Sequence, residues 1–400
     1  MDFSNKDNII LCIFAEIAQL CVNDRVMNTE FFIEMLDIES TSGRERGFAD
    51  FLAQRMAGPG RRVETFEVPA MAGDCPDGCG IPVNLMVSWG EPKVVFCTHL
   101  DTVPPYIAPS VEVMEDGDVK IKGRGSCDAK GQIFAMWEAC LELEHRGCTD
   151  FALLLLAGEE TGSFGAKAFN GSAVAADDKI VIVGEPTDNH MTSASKGTKS
   201  FEVTFEGLPF HSGYPQYGRS AVEMFNDFVN ALRSIVFPKD EILGDTTWNI
   251  GRLVSDNPQN ILSERLSCRV YFRTTFESDQ MVCNVMKNMA GPDARLRFGR
   301  SRAQDGSDMV AKEIAPWQKC MSVKAFGGDA PTVYQTLEGF STKPVAFGSD
   351  APQLKCFDRK ILCGPGSILV AHRPEEHIML SDLKAAVASY IRMYTCLTGN

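Results

Sequence analysis

Acidic and histidine side chains follow three apolar segments of the sequence, each at the point where the segment ends. His99 closes the run "VVFCTH", the pair Glu159-Glu160 follows "LLLLAG", and Glu185 follows "VIVG". Continuous apolar runs of this kind are typical of strands buried in a parallel sheet. Sites in such sheets form at the carboxyl ends of the strands. We therefore expect these four side chains to share one edge of a sheet.

Three further donors of the same chemical types occur in the sequence. Asp101 follows His99 closely, Asp128 lies in the glycine-rich "GRGSCDAKG", and His372 lies in "GPGSILVAHRPEEH". Imidazole and carboxylate are ligands that zinc accepts, and a carboxylate can bridge two ions in two-metal hydrolysis. Neighbouring buried carboxylates such as Glu159-Glu160 need a cation beside them. One can bind metal while the other takes a proton from water.

Each of these residues also has a structural interpretation. A single histidine after a strand is usually structural, an aspartate in a glycine-rich turn is mostly a turn former, and a glutamate pair can begin a solvated helix. A cysteine hydrolase is a further alternative, because Cys97 and Cys127 lie near the expected site. The only histidine beside them, however, is already assigned to metal. The combination favours a metal centre.

Composition limits the possible classes of function. The chain has 400 residues and a formal net charge of −14, which argues against nucleic acid or an anionic membrane as a partner. Its 14 cysteines show no disulfide spacing, and Cys75 and Cys79 have no second pair to complete a zinc site. This usage predicts a reducing cytoplasm. The apolar residues 9–22 are too short to span a membrane and predict an amphipathic helix.

The order of elements predicts two domains. Strands and helices alternate through the first half, which indicates an α/β domain with a mixed sheet between helices. From about Ser195 the pattern changes to a strand–helix–strand–strand–helix module, and the α/β pattern returns after about residue 305. We therefore predict a catalytic domain of residues 1–194 and 304–400, interrupted by an inserted α+β domain of residues 195–303.

Six ordered motifs make the chain similar to a known family. It resembles the dizinc acetylornithine deacetylases, succinyl-diaminopimelate desuccinylases, aminoacylases and related carboxypeptidases, most of all the acetylornithine deacetylase branch. The resemblance covers nearly the whole chain. The motifs are "THLDTVP", "GRGSCDAKG", "AGEETGSFGA", "VGEPT", "SKGTKSFEVTFEGLPFHSGYP" and "GPGSILVAHRPEEHI".

The resemblance implies roles for the residues of the catalytic domain, which would have a phosphorylase/hydrolase-like zinc-peptidase fold. Two Zn²⁺ ions, with Co²⁺ or Mn²⁺ as possible substitutes, would be bridged by Asp128, and the peptide bond after it would be cis. Glu159 would be the general base, and Asp101 would orient His99 through its second ring nitrogen. The terminal ligands would be His99 and Glu185 for one ion, and Glu160 and His372 for the other.

For the inserted domain the resemblance implies a ferredoxin-like fold that forms a homodimer. His211, in "PFHSGYP", would reach the partner's site and stabilise an oxyanion. Asn260 and Arg273 would hold the substrate's carboxylate, which an arginine fork suits. Cys127 and Thr98 depart from the family pattern without removing a ligand. Residues 299–332 do not align clearly, which leaves side-chain specificity undefined.

The expected activity is hydrolysis of the amide bond in a small N-acyl amino acid, with N-acetylornithine, as in arginine biosynthesis, as the first choice. Alternatives within the enzymes are a succinyl-diaminopimelate desuccinylase and a small-peptide exopeptidase acting on dipeptides. The alternative outside the enzymes is an inactive metal-binding scaffold. A complete set of five ligands with Glu159 favours an enzyme.

Overall fold

Nine α-helices and twenty strands form the part of the chain that the computed structural model describes, which is residues 21–22, 25–71, 73, 75–76, 78–172, 179–291, 294–296, 300–302, 308–310 and 314–399. The helices are α1 Thr29–Asp37, α2 Arg46–Met56, α3 Lys130–His145, α4 Glu159–Gly162, α5 Phe164–Phe169, α6 Ala221–Ser234, α7 Asp279–Met289, α8 Pro316–Lys319 and α9 Leu380–Thr398. Most of the helix predicted for residues 9–22 lies outside the described residues.

The strands range from two to ten residues in length. They are β1 Cys21–Val22, β2 Arg25–Val26, β3 Arg61–Glu67, β4 Val83–Gly90, β5 Val94–His99, β6 Ser110–Val113, β7 Val119–Lys122, β8 Asp150–Leu156, β9 Ile180–Val183, β10 Met191–Ser195, β11 Gly197–Glu206, β12 Thr247–Val254, β13 Arg265–Thr274, β14 Arg300–Arg302, β15 Asp308–Val310, β16 Met321–Gly327, β17 Thr332–Val333, β18 Thr342–Val345, β19 Arg359–Leu362 and β20 His377–Met379.

The chain divides into two units. The first comprises residues 1–193, 334–343 and 349–400, and the second comprises residues 194–333 and 344–348. The second unit therefore continues well past residue 303, where the sequence pattern placed its end. The reason is β16, which pairs antiparallel with β11 and supplies a fourth strand to the sheet of this unit.

A six-stranded mixed sheet organises the first unit. Its strand order is β19-β9-β5-β8-β4-β3, with the first four strands parallel and the last two antiparallel to their neighbours. Alternate residues of β8, such as Phe151 and Leu153, belong to the main core cluster with α1, α3 and α9. The intervening residues Ala152 and Leu154 are also fully buried, so both faces of the strand are covered. This explains the continuous apolar runs of the sequence.

A four-stranded antiparallel sheet organises the second unit. Its order β12-β13-β11-β16, with α6 after β11 and α7 after β13, is that of a ferredoxin-like fold. Residues 197–203 of β11 alternate between buried and half-buried, as the period-two pattern of the sequence predicts. Both helices place apolar residues, including Phe228 and Met286, in one core with the sheet. The predicted fold class is confirmed.

Candidate metal centre

Three parallel strands place their polar ends at one edge of the first unit's sheet. His99 is the last residue of β5 and pairs in register with Leu156 of β8, so the Glu159-Glu160 pair begins just beyond that edge. On the other side of β5, Cys97 pairs with Val183 of β9. Carrying this register two residues further brings Glu185 alongside His99. The edge predicted from the sequence is thus formed.

The turn before Glu159 requires a glycine. Gly158 has a φ of +67°, in the left-handed region that favours glycine. A Cβ at this position would lie 2.6 Å from Sδ of Met71, so the methionine side chain would have to shift. The chain therefore turns abruptly from β8 into α4 and places two adjacent glutamates at the start of that helix.

Three of the predicted ligands bring their donor atoms close together. The donor atoms of His99, Asp128 and Glu160 all lie within 4.8 Å of one another. Nε2 of His99 is 3.1 Å from Oδ1 of Asp128, and Nε2 of His372 is 3.4 Å from Oδ2 of the same carboxylate. The two oxygens of Asp128 thus face two different histidines, as a bridging ligand requires.

His372 adds a second acidic contact on its side of the centre. Its Nε2 lies 2.9 Å from Oε1 of Glu160. Its φ of +62° is unusual for a residue with a side chain, and such conformations persist where the surrounding structure enforces them, often at functional sites. Hydrogen bonds with Asp128 and Glu160 raise the pKa of His372 to about 10, although burial opposes this.

Asp101 contacts the second ring nitrogen of His99, and it does so through its backbone. Nδ1 of His99 donates to the backbone carbonyl oxygen of Asp101 at 2.9 Å, whereas the Asp101 carboxylate is 3.5 Å away. That carboxylate instead accepts the backbone N–H of Glu159 at 3.0 Å and of Glu160 at 3.2 Å, together with the hydroxyl of Ser42 at 2.7 Å. Asp101 therefore fixes the glutamate pair as well as the imidazole.

The electrostatics of this edge call for added positive charge. Burial raises the pKa of Glu185 well above its ordinary value, and the charges of Asp128 and Glu159 raise it further. Burial likewise raises the pKa of Glu159 well above its ordinary value, with the charges of Asp350 and Glu160 adding to the effect. Carboxylates that destabilise one another are stabilised by a cation among them. Two histidines and four acids of this kind fit two divalent ions.

Protonated histidines at this edge can supply part of that positive charge. Burial alone would lower the pKa of His99, but hydrogen bonds with Asp101 and Asp128 outweigh it and hold this pKa well above its ordinary value. Burial opposes ionisation of Asp128, yet hydrogen bonds from His372 and His99 leave its pKa below the ordinary range. Metal binding needs both imidazoles neutral, so it would release protons.

Three buried acids around the centre were not identified from the sequence. Burial, followed by the charge of Asp101, raises the pKa of Glu45 to about 7. Burial also raises the pKa of Asp350 to about 7 and raises that of Glu376. Glu45 follows the "TSG" turn and Glu376 follows His372 by four residues. Their closeness in sequence to predicted site residues was the one feature that could have identified these two acids.

The peptide bond Asp128-Ala129 is cis, as expected.

The cysteines near the centre do not support a cysteine hydrolase. Cys97 and Cys127 are fully buried, and burial raises the pKa of both thiols well above the ordinary value. A nucleophilic cysteine needs the opposite, a depressed pKa and access to substrate. The twelve cysteines whose side chains the structure describes are all free thiols.

The remaining predicted residues belong to the second unit. His211 is exposed, and its Nδ1 accepts the backbone N–H of Gly213 at 3.0 Å. Asn260 lies on the adjoining segment, where its backbone carbonyl oxygen accepts the backbone N–H of Ser212 at 2.9 Å. Arg273 lies on β13 with its guanidinium 5.0 Å from the ring centroid of Tyr271. His211 and Asn260 are therefore neighbours, and Arg273 lies apart from them in the chain.

Arg273 is an available cation within its unit. Among the described residues, no carboxylate lies within 4 Å of its guanidinium. A half-buried arginine without an acidic partner is unusual, because its charge is usually compensated when it leaves water. A planar fork of donors stacked beside a tyrosine ring suits a carboxylate ligand.

Comparisons with known proteins agree with this geometry. The model of peptidase family M20/M25/M40 matches residues 95–395. A probable carboxypeptidase from Aspergillus terreus is 30% identical over 406 aligned residues, which cover 94% of this chain and 88% of the relative.

Two solved structures share the fold. A tripeptidase from Staphylococcus aureus has a TM-score of 0.72 at 18% identity, with 93% of this chain and 98% of that chain covered. A dinuclear metal-binding peptidase of the M20 family from Bacillus subtilis has a TM-score of 0.60 at 12% identity, with 92% and 98% covered. The chain belongs to peptidase family M20/M25/M40 and is an amidohydrolase.

Proposed function

We propose that this chain is a two-zinc hydrolase that cleaves the amide bond between a small acyl or aminoacyl group and an amino acid with a free carboxylate. The observation that carries the proposal is the position of Asp128, whose two carboxylate oxygens face His99 and His372 on opposite sides. A single bridging acid between two histidines is the arrangement of a two-metal site.

Each ion would have its own terminal ligands. His99 and Glu185 would hold one, Glu160 and His372 the other, and Asp128 would contact both. Zinc suits this mixture of imidazole and carboxylate, and Co²⁺ or Mn²⁺ would be substitutes. Two ions bound there would supply an activated water and polarise the carbonyl of the scissile bond.

Glu159 is the proposed general base. It stands next to a proposed ligand but is not needed as one, and the backbone N–H of Glu159 is fixed by Asp101. Its raised pKa suits a group that takes a proton from the attacking water and returns it to the leaving amine. Asp101 keeps the base and His99 in fixed relative positions.

The second unit would complete the site through a homodimer. We assign to His211 the stabilisation of the oxyanion in a partner subunit, and to Asn260 and Arg273 the binding of the substrate's carboxylate. Exposed aromatic residues around His211 support a surface that a second copy covers, since Phe210, Tyr214 and Tyr217 are 41%, 55% and 63% exposed.

Two substrate types share this chemistry. A C-terminal peptide bond is the first candidate, supported by the carboxypeptidase relative and by the uncompensated Arg273. N-acetylornithine is the second, supported by the "GPGSI" motif before His372. Succinyl-diaminopimelate belongs to the same class. The free thiols support a reducing compartment, and we place the enzyme in the cytoplasm.

A substrate panel tests the proposal. Purified enzyme with zinc is offered N-acetylornithine, N-succinyl-diaminopimelate, dipeptides and acylated amino acids, each with a free or amidated carboxyl terminus. We expect hydrolysis that a chelator abolishes and zinc restores, confined to substrates with a free carboxylate. Cleavage of dipeptides alone would reject the deacetylase candidate, and equal cleavage of amidated substrates would reject the role of Arg273. Activity unaffected by chelation would reject the metal mechanism.

A further inference from the structure

Glu376 is a buried carboxylate that the proposed reaction does not use. It lies four residues after His372 and is 1% exposed. Its Oε1 accepts three backbone N–H groups, from Gly125 at 3.0 Å, Cys127 at 3.1 Å and Asp128 at 3.1 Å. Three amides converging on one oxygen form a nest of the kind that binds an anion. The bound anion here is a side chain of the same protein.

The other carboxylate oxygen is held by an arginine. Nη1 of Arg124 donates to Oε2 of Glu376, and Arg124 is itself only 3% exposed. Nε of Arg124 donates to the carbonyl oxygen of Pro105 at 3.2 Å. Both carboxylate oxygens are therefore engaged by donors, which favours a single orientation of the side chain.

This contact joins two distant parts of the chain. The backbone N–H of Gly123 donates to the carbonyl oxygen of Glu376 at 3.1 Å, and β20 pairs antiparallel with β7 immediately beside it. One part carries Asp128 and the other carries His372. The position of Asp128 relative to His372 thus depends on a contact between segments more than 240 residues apart.

We propose that Glu376 is a positioning residue for the metal centre. It fixes the backbone of Asp128 so that the two carboxylate oxygens face His99 and His372, and it joins the Asp128 turn to the segment that carries His372. The affinity of the centre for metal then depends on a residue that contacts no metal. This inference rests on the proposed two-metal site.

Substitution of Glu376 should act on metal affinity more than on the fold. In Glu376→Gln the carboxamide keeps the volume, and its oxygen can still accept the three backbone N–H groups. Its amino group, however, would face the donors of Arg124, so the side chain must shift and a buried guanidinium loses its acceptor. Residues that orient metal ligands typically change metal affinity by about 10- to 100-fold when they are replaced.

The experiment is a zinc titration of metal-free protein, in competition with a chromophoric chelator. Glu375→Gln is the matched control, because Glu375 is the adjacent acid and its side chain is 73% exposed. We expect wild type to bind two ions, and Glu375→Gln to bind them with the same affinities as wild type. Glu376→Gln should bind at least one ion about 10- to 100-fold more weakly. Thermal unfolding of the metal-free proteins is measured in parallel.

The outcomes separate this inference from the proposed function. Wild-type binding by Glu376→Gln would overturn the inference, even if its metal-free form unfolds at a lower temperature, since Glu376 would then be structural only. A wild-type protein that binds no zinc would instead overturn the proposed function. If Glu376→Gln does not fold, Glu376→Asp keeps the charge but is too short to reach both Arg124 and the amides, and it should show the same loss of affinity.

Discussion

The usual rule is that acidic residues are exposed and apolar residues are buried, and the two units depart from it in opposite ways. Of the nine buried acidic residues in the described chain, eight belong to the first unit. Of the sixteen exposed large hydrophobic residues in the described chain, fourteen belong to the second unit. Buried acids need cations, whereas exposed apolar side chains favour contact with another surface. Most buried acids of the first unit fit the proposed metal centre, and the exposed apolar residues of the second unit fit the proposed dimer surface.

The largest effect on activity should come from replacing Glu159, the proposed general base of the first unit. We expect Glu159→Gln to lower kcat by about 10²- to 10⁴-fold, because the attacking water loses its base. Zinc content should stay at the wild-type level, since the five proposed ligands are unchanged. Steady-state kinetics and metal analysis on the same sample check this. Near-normal kcat would remove Glu159 from the mechanism, and lost zinc would make it a ligand.

The second unit should contribute to the reaction through the partner. His211→Ala should lower kcat by about 10²- to 10³-fold with little change in KM, because an oxyanion donor acts in the transition state. His145→Ala, on the first unit, is the control and should retain full activity.

Mixing the two inactive variants sharpens the comparison. When Glu159→Gln and His211→Ala exchange subunits, half of the dimers are mixed, and one site in each mixed dimer has both native residues. About a quarter of wild-type activity should return if His211 acts across a two-fold dimer. No recovery in dimers shown to have exchanged subunits would contradict the assignment of His211 to the partner's site.

Much of the first unit was predictable because its signals are local. Continuous apolar runs identify buried parallel strands, and the residues after β5, β8 and β9 form the expected edge. The fourth strand of the second unit was missed. Residues 321–325 of β16 do alternate apolar and polar side chains, but the segment is short, and of the seven residues of the strand only Met321 is buried. Its place in the sheet depends on pairing with β11, a contact distant in sequence.

The buried acids Glu45, Asp350 and Glu376 show a second limit. Acidic residues are usually exposed, and only the folded chain shows that these three are buried beside residues of the candidate metal centre. The additional contacts of Asp101 also became apparent only in the folded chain. Its partners, the backbone N–H groups of Glu159 and Glu160, carry no mark in the sequence.

Replacement of Arg273, the half-buried arginine of the second unit, should affect substrate binding rather than metal binding. We expect Arg273→Gln to lower kcat/KM by about 10- to 100-fold for substrates with a free carboxylate, the usual range for a lost charge-assisted hydrogen bond. Arg269→Gln is the control on the same strand, because Arg269 already has Glu202 at 3.5 Å. An equal loss in both variants would indicate a general effect of charge.

The smallest effect concerns the stability of the first unit. The pKa of Glu45 is about 7 in the folded state, against 4.5 for the free side chain, so the folded protein holds this proton more tightly. Stability of the metal-free protein should therefore fall as pH rises from about 4.5 through 7, by on the order of 3 kcal/mol from this group. Glu45→Gln should reduce that fall, and Glu39→Gln, at an exposed acid, should not. Denaturant unfolding at pH 5 and pH 8 measures both.

The central claim is that Asp128 bridges two metal ions held by the first unit. The most direct measurement is the zinc content of the protein after saturation and dialysis, for wild type and for Asp128→Asn. We expect two zinc ions per wild-type chain and fewer than two in Asp128→Asn, because the amide lacks the charge and one of the acceptor oxygens. A wild-type chain that retains one ion or none, or a variant that retains two, would contradict the account.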